Sequence, residues 1–362
     1  MRMRRWCDDG SSRSNGSKCS NCLIRDNSMR RFKFALTVAP VILLFAMTGA
    51  GHAQSRPLKK IRVGVPSVGM GNIIIFVTKE GKLFEKYGLD AEVITVMGSG
   101  IGSKALISGN LDIIPIATPT VIAANLAGAD MAILAHTMPA VVHALMVRPD
   151  IKRPEDLKGK KIGVSSLGSL TDFLVRSIAK KKGLNPDRDI TLITTGGSDT
   201  ERVMSLKAGA VEAAAVSHPG YGLARKMGFS MLWDSAKELD YPWMEITTRR
   251  AAIKNDRELI TQYMKAHLEG IALFKTNRDF GVKVIKKTLK VTDDELVNES
   301  YDIFSKMFIP APYPNHPGMK ISFEYVAMTR SDVWNHKPEE FTDPSFVTEL
   351  DKSGFIKSLY GK

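Results

Sequence analysis

The chain has 362 residues, 44% hydrophobic and 25% charged, with 29 Gly and 17 Pro. That usage excludes a disordered chain, a collagen and a coiled coil, and the length suits roughly two domains with a sizeable core. Three Cys exclude a disulfide scaffold, and the net charge of +13 is the one feature that invites a nucleic-acid reading.

Residues 1–28 hold all three cysteines, Cys7, Cys19 and Cys22, in text rich in Ser, Arg and Asn. The Cys19–Cys22 pair has metal or redox spacing but no second ligand pair. Lying ahead of an export signal, this segment is expected to be a non-native extension, with translation starting at Met29. From there Met29-Arg-Arg-Phe-Lys33 is a basic n-region, Phe34–Met47 an apolar h-region, and Thr48–Ala53 a run of mostly small residues. This is the grammar of a secretory signal peptide over 29–53, cut at Ala53–Gln54. An h-region containing Thr37 and Pro40 falls short of the ~20 apolar residues a membrane span needs. Removing residues 1–53 takes away nine basic and three acidic residues. The mature chain keeps 42 basic and 35 acidic residues and no Cys. An exported, cysteine-free protein in the periplasm is expected, with no nucleic-acid partner.

From Ile61 onward one pattern is written twice, at an offset of 95 to 100 residues. Ile61-Arg-Val-Gly-Val65 and Ile162-Gly-Val164 open each copy as a strand. Gly88-Leu-Asp90 answers Gly183-Leu-Asn185 at a helix end, and Val93–Val96 answers Ile190–Ile193 as a second strand. A glycine turn (Gly98-Ser-Gly100; Gly196-Gly-Ser198), a helix closed by Gly109 or Gly209, and a third strand (Leu111–Ile116; Val211–Val216) complete each copy. Thr118-Pro119 then answers His218-Pro219. Strands alternating with helices imply right-handed crossovers and mainly parallel sheets.

Two further segments connect the copies. Val141–Val147 reads as an apolar crossing into a second lobe, and 243–253 as a strand crossing back. The expected fold is α/β: two doubly wound lobes joined by a hinge. Lobe 1 takes 54–145, lobe 2 takes 146–246, and 247–362 returns to lobe 1. From Asp256 to about Lys290 the pattern is helical with breaks at Gly270 and Gly281. A Pro-rich stretch over 310–317 follows, then a last helix at Phe323–Trp334 and a polar tail.

Catalytic signatures are thin. Gly98-x-Gly100-x-Gly102 has Ser103 where a dinucleotide loop needs its third Gly, and Asp112 is too close to be its acidic residue. There is no Walker loop, HExxH or GxSxG, and the mature histidines at 136, 143, 218, 267, 316 and 336 lack metal-ligand spacing. No cofactor, no metal and no enzymatic activity are expected. Asp112 and Glu212, at matching repeat positions, read as surface residues.

Ligands of doubly wound sheets bind beyond the carboxyl ends of strands, where helix starts offer free N–H groups. The loops there are rich in Gly, Ser and Thr. They nominate Ser67, Met70, Gly71, Asn72, Gly98, Ser99, Thr118 and Thr120 from the first copy. From the second they nominate Ser166, Ser169, Thr171, Gly197, Ser198, Thr200, His218 and Tyr221. Ser169-x-x-Asp172 and Ser198-x-x-Glu201 are also N-cap signatures, and capping can coexist with ligand contact. Few acidic side chains are expected at the cleft beyond Asp172, Asp199 and Glu201, so a small organic acid, carboxylate or sulfonate, is the expected ligand. Met70, Met138 and Tyr221 are placed to pack its apolar part.

The run Asn72–Asp90, with Lys79-Glu80-Gly81 and Gly88-Leu89, resembles the first-helix signature of substrate-binding proteins of the nitrate/sulfonate/taurine class. Gly98-Ser-Gly100, Ala105–Asp112, Gly163-Val-Ser165 through Thr171-Asp172, and Gly209–Ala213 add to the resemblance, which covers about 60–290. It implies a type II periplasmic-binding fold and a monomer that delivers a small organic solute to an inner-membrane ABC permease with its ATPase. Asn72 departs from the Ala-Pro often found there, so ligand identity is not implied. A receptor of a TRAP-type secondary transporter and a periplasmic-binding-fold enzyme remain open at this level. The thiamine-pyrimidine synthase branch carries a Cys-rich motif that the mature chain lacks.

Overall fold

Ten short strands among the described residues carry the fold, and their burial follows their place in the sheets. In chain order they are β1 (Lys59–Val65), β2 (Leu89–Thr95), β3 (Ile113–Ile114), β4 (Met131–Met138) and β5 (Ala144–Val147). β6 (Lys160–Val164), β7 (Ile190–Thr194), β8 (Ala213–Val216), β9 (Ser230–Asp234) and β10 (Trp243–Arg249) follow. This computed structural model describes residues 57–96 and 98–361. The expected extension and signal peptide, over 1–53, lie outside the described residues. Among the described residues no helix is long and apolar enough to cross a membrane.

The strands form two five-stranded sheets, β2-β1-β3-β10-β4 and β7-β6-β8-β5-β9. In each, the first three strands run parallel and the fourth is antiparallel to both neighbours. The two orders are the same pattern, so the repeated sequence is a repeated structure. The fourth strand is exchanged: β5 enters the second sheet against Val216 and Trp233, and β10 returns to the first against Ile113 and Ala135. Two α/β lobes joined by two crossings are therefore present. Residues 145/146 and 246/247, where the lobes were expected to part, fall inside β5 and β10.

Three expectations about the C-terminal third need correction. The helical stretch does not break at Gly270 or Gly281. It breaks at Asn277, which caps the helix Arg278–Leu289 by accepting from the Phe280 N–H at 3.0 Å. Both glycines lie within helices because their neighbours leave no room. A Cβ on Gly281 would sit 2.6 Å from Tyr301 Cε2, and one on Gly270 would collide with Thr78 Oγ1. The last expected helix is cut to Lys320–Val326, followed by a turn at Ser331–Asn335. The polar tail is structural: the helix Ser345–Lys352 buries Phe346, Val347 and Leu350. Just before it, the Asp343 N–H donates to Ile133 O at 2.9 Å, so this segment covers the outer edge of β4. That is why all eight residues of an edge strand are buried.

Candidate functional site

A cavity of about 60 Å³ lies between the sheets, room for one small solute or about four waters. The first sheet supplies Pro66 and Ser67 after β1, Gly98 and Ser99 after β2, and Pro115 and Ala117 after β3. The second supplies Ser165, Ser169, Leu170 and Thr171 after β6, and Arg202. The crossings supply His143, Trp243, Met244 and Glu245. Because β10 runs antiparallel to β3, its first residues lie where the parallel strands end. Thus β10 brings polar chemistry to the carboxyl edge of the sheet. Met244 there adopts φ +60°, a left-handed conformation that costs a side-chain-bearing residue energy and is common at functional sites.

Glu245 is 2% exposed. Its Oε1 accepts from the Thr118 N–H at 2.9 Å, from Thr118 Oγ1 at 3.0 Å and from the Tyr241 hydroxyl. Burial pushes its pKa up; the bonds from Tyr241 and Thr118 pull the other way and leave it above the usual range. Behind it, His136 Nδ1 accepts from the Asn315 N–H at 3.0 Å, which leaves Nε2–H to donate to Thr118 Oγ1 at 3.2 Å. Burial, with a smaller contribution from His316, lowers His136 to about 3, so the ring is neutral.

Arg202 is 3% exposed, and three of its five N–H groups are engaged within the protein. It pairs with Asp199 and donates to Ala215 O at 2.8 Å and Gly196 O at 3.1 Å. Asp199 also accepts from the Ser217 N–H and Oγ. Burial alone would raise its pKa, but Arg202, His143 and Ser217 together hold it below the ordinary value. His143 packs edge-on against Trp243 at 4.8 Å, and burial lowers its pKa to about 4. Ser165, Ser169 and Thr171 form a triangle of hydroxyls 2.9–3.0 Å apart, and Ser169 also caps the helix Leu170–Lys181. Capping and cavity lining do coexist there.

Of the sequence-nominated residues, Ser67, Asn72, Gly98, Ser99, Ser169 and Thr171 line the cavity. Thr118 stands one layer behind, on Glu245. Gly71 is a packing position, since a Cβ there would lie 2.6 Å from Trp243 Cζ2, and Met70 is fully buried in the core. Ser166 meets Gly98 across the cleft without lining the cavity. Thr120 lies inside the helix Thr118–Leu126. Ser198 and Thr200 line a separate cleft of about 430 Å³, where Ser198 forms a capping box with Glu201. Gly197 lines neither space. His218 and Tyr221 meet edge-on in a side cavity of about 390 Å³ that shares His143 with the central one.

Sequence reasoning missed Glu245, Arg202, His143 and Trp243. A lone carboxylate in the otherwise apolar Trp243-Met-Glu-Ile246 was the available signal for the first. No group of three His, Cys, Asp or Glu close enough to hold a metal occurs among the described residues.

The family model described as NMT1/THI5 like matches residues 71–279, more than half of the chain. The protein belongs to the NMT1/THI5-like family. A Brucella abortus (strain 2308) protein whose name gives it only a conjectural binding role is 28% identical over 247 residues, 66% of this chain and 75% of that one. The periplasmic nitrate-binding protein NrtA from Synechocystis PCC 6803 superposes with a TM-score of 0.67 at 14% identity, over 84% of this chain and 91% of its own. The alkanesulfonate-binding protein SsuA from Xanthomonas axonopodis pv. citri, bound to MOPS, gives 0.63 at 17%, over 81% and 98%. The family resemblance read from the sequence holds, and the fold is that of periplasmic substrate-binding proteins.

Proposed function

We propose that this chain is an exported solute-binding protein. It captures one small organic solute between its lobes and presents the closed, loaded form to an inner-membrane ABC permease with its ATPase. The observation that carries the reading is a small cavity whose polar lining comes from both sheets and both crossing segments. Such a site is complete only when the lobes are together, which couples occupancy to closure. The closed form is held from both sides: Tyr325, near the C-terminus, donates to Asp172 Oδ2 at 3.2 Å, and Lys226 pairs with Asp293 and Glu295. Export through the signal at 29–53 and a monomeric state belong to the same proposal.

The preference for an anion is not part of it. That expectation assumed a cleft without an inward carboxylate and with open helix starts. Glu245 is such a carboxylate, and the Arg202 charge is neutralised by Asp199.

Thermal melts against a library of organic acids, sulfonates, amines, nucleobases and sugars test the reading. A true ligand at about 100 times its dissociation constant adds ~2.7 kcal/mol, a rise of about 5 °C for a chain this size. A library that contains periplasmic nutrients of every class and stabilises nothing contradicts it.

A further inference from the structure

The cavity presents hydrogen-bond acceptors that nothing in the protein uses. Asn72 is 4% exposed, and its amide nitrogen donates to Ser67 O at 2.9 Å. Only an NH₂ group can make that bond, which fixes the orientation of the amide and leaves Oδ1 as an acceptor. Oδ1 is buried without a partner. Glu245 offers a second acceptor on the cavity wall. Three donors converge on its Oε1, an arrangement that suits a carboxylate, while no described residue donates to Oε2. His143 Nδ1 is also buried and unpartnered on the cavity wall, a donor or an acceptor according to the ring's tautomer. A buried polar atom without a partner costs about 1–3 kcal/mol, which an occupant that pairs with these atoms would recover. The surrounding hydroxyls of Ser165, Ser169 and Thr171 largely satisfy one another and add no net charge.

Resting on the solute-binding reading, we propose that the occupant is a small nitrogenous solute that donates N–H groups to Glu245 Oε2 and Asn72 Oδ1. Its class is an amine, amidine or amino-substituted heterocycle, cationic or neutral, and the Trp243, Met244 and Pro115 walls take its apolar part. An anionic headgroup in the same place would face the carboxylate, and Arg202 on the cavity wall is already paired with Asp199.

Thermal melts of the exported chain with two probe sets test this. Methylguanidine, acetamidine and cytosine form one; methanesulfonate, acetate and nitrate form the other. At least one nitrogen probe is expected to raise the melting temperature by several degrees, and none of the anions to do so. Glu245→Gln keeps an oxygen for Thr118 and Tyr241 but turns an N–H donor into the cavity. It is expected to weaken the nitrogen probe at least tenfold. Asn72→Ala, which leaves the Glu245 cluster intact, is expected to weaken it severalfold and stands in if the first variant does not fold. Stabilisation by the anions alone, or variants that bind the nitrogen probe unchanged, overturns the assignment. So does stabilisation confined to another class in the wider library, which leaves the solute-binding reading standing. Only a protein stabilised by no class contradicts both.

Discussion

Acidification from pH 7 to pH 5 is expected to remove about 5–6 kcal/mol of stability, comparable to the whole margin of many domains. The cause is three histidines buried as neutral rings. Burial lowers His136 and His267 to about 3 and His143 to about 4. Each folded value lies below the ~6.5 of an unfolded chain, so the unfolded state binds protons first as pH falls. The stabilisation is complete above pH 6.5 and is lost progressively down to pH 3–4, about 2 kcal/mol per ring by pH 5. For His136 the structural event is explicit: a proton on Nδ1 would displace the Asn315 N–H that it accepts. Glu245 works in the opposite direction, because its raised pKa lets the folded state bind a proton first, and it offsets part of the loss. Urea unfolding at a series of pH values measures the slope. His267→Phe, in a ring stacked on Tyr263, is expected to reduce the loss by about a third. A stability that changes by less than about 1 kcal/mol over this range contradicts the burial of these rings as neutral groups.

Arg202→Met is expected to cost roughly 3–5 kcal/mol at neutral pH, because it strands the Asp199 carboxylate in the interior without a countercharge. The pair ties the start of the helix Asp199–Lys207 to the end of β8, through Ala215 O and Ser217. Replacing both members, Asp199→Asn with Arg202→Met, is expected to recover a large part of the loss, since no charge is then left buried. The pH dependence has a definite sign. In the wild type the depressed Asp199 pKa contributes stability present above about pH 4 and lost below it. In the single variant burial dominates, Asp199 takes up a proton, and the gap between the two proteins narrows as pH falls. Denaturant unfolding at pH 7 and pH 4 reads both effects. A single variant within 1 kcal/mol of wild type at pH 7 would contradict a closed, water-free pair.

The architecture was legible in the sequence because its marks are local and occur twice. Gly98 and Gly196, Gly109 and Gly209, and the apolar runs at 111–116 and 211–216 report turns and strands whatever lies around them. The crossing strands were visible for the same reason. Part of the cavity was visible too, since Ser67, Ser99, Ser169 and Thr171 sit where parallel strands must end. What escaped depends on tertiary contact. Arg202 stands three residues after Asp199 on a helix, which reads as an exposed ion pair, and only the packing of β8 buries it. Glu245 gains its three donors from Thr118 and Tyr241, the first of them 127 residues away in sequence. Met70 lies in a loop rich in small residues, yet the turn Met70–Asn72 points it into the core. The C-terminal segment reads as polar because only one side of Ser345–Lys352 meets the edge of β4.

Ligand-coupled closure of the lobes is tested most directly by small-angle scattering of the chain from Gln54 onward, first stripped of solute and then loaded with a ligand found by melting. The account predicts a measurably smaller radius of gyration in the loaded protein, with the loaded curve matching the closed arrangement in which Tyr325 meets Asp172. Identical curves for the stripped and loaded protein would contradict it.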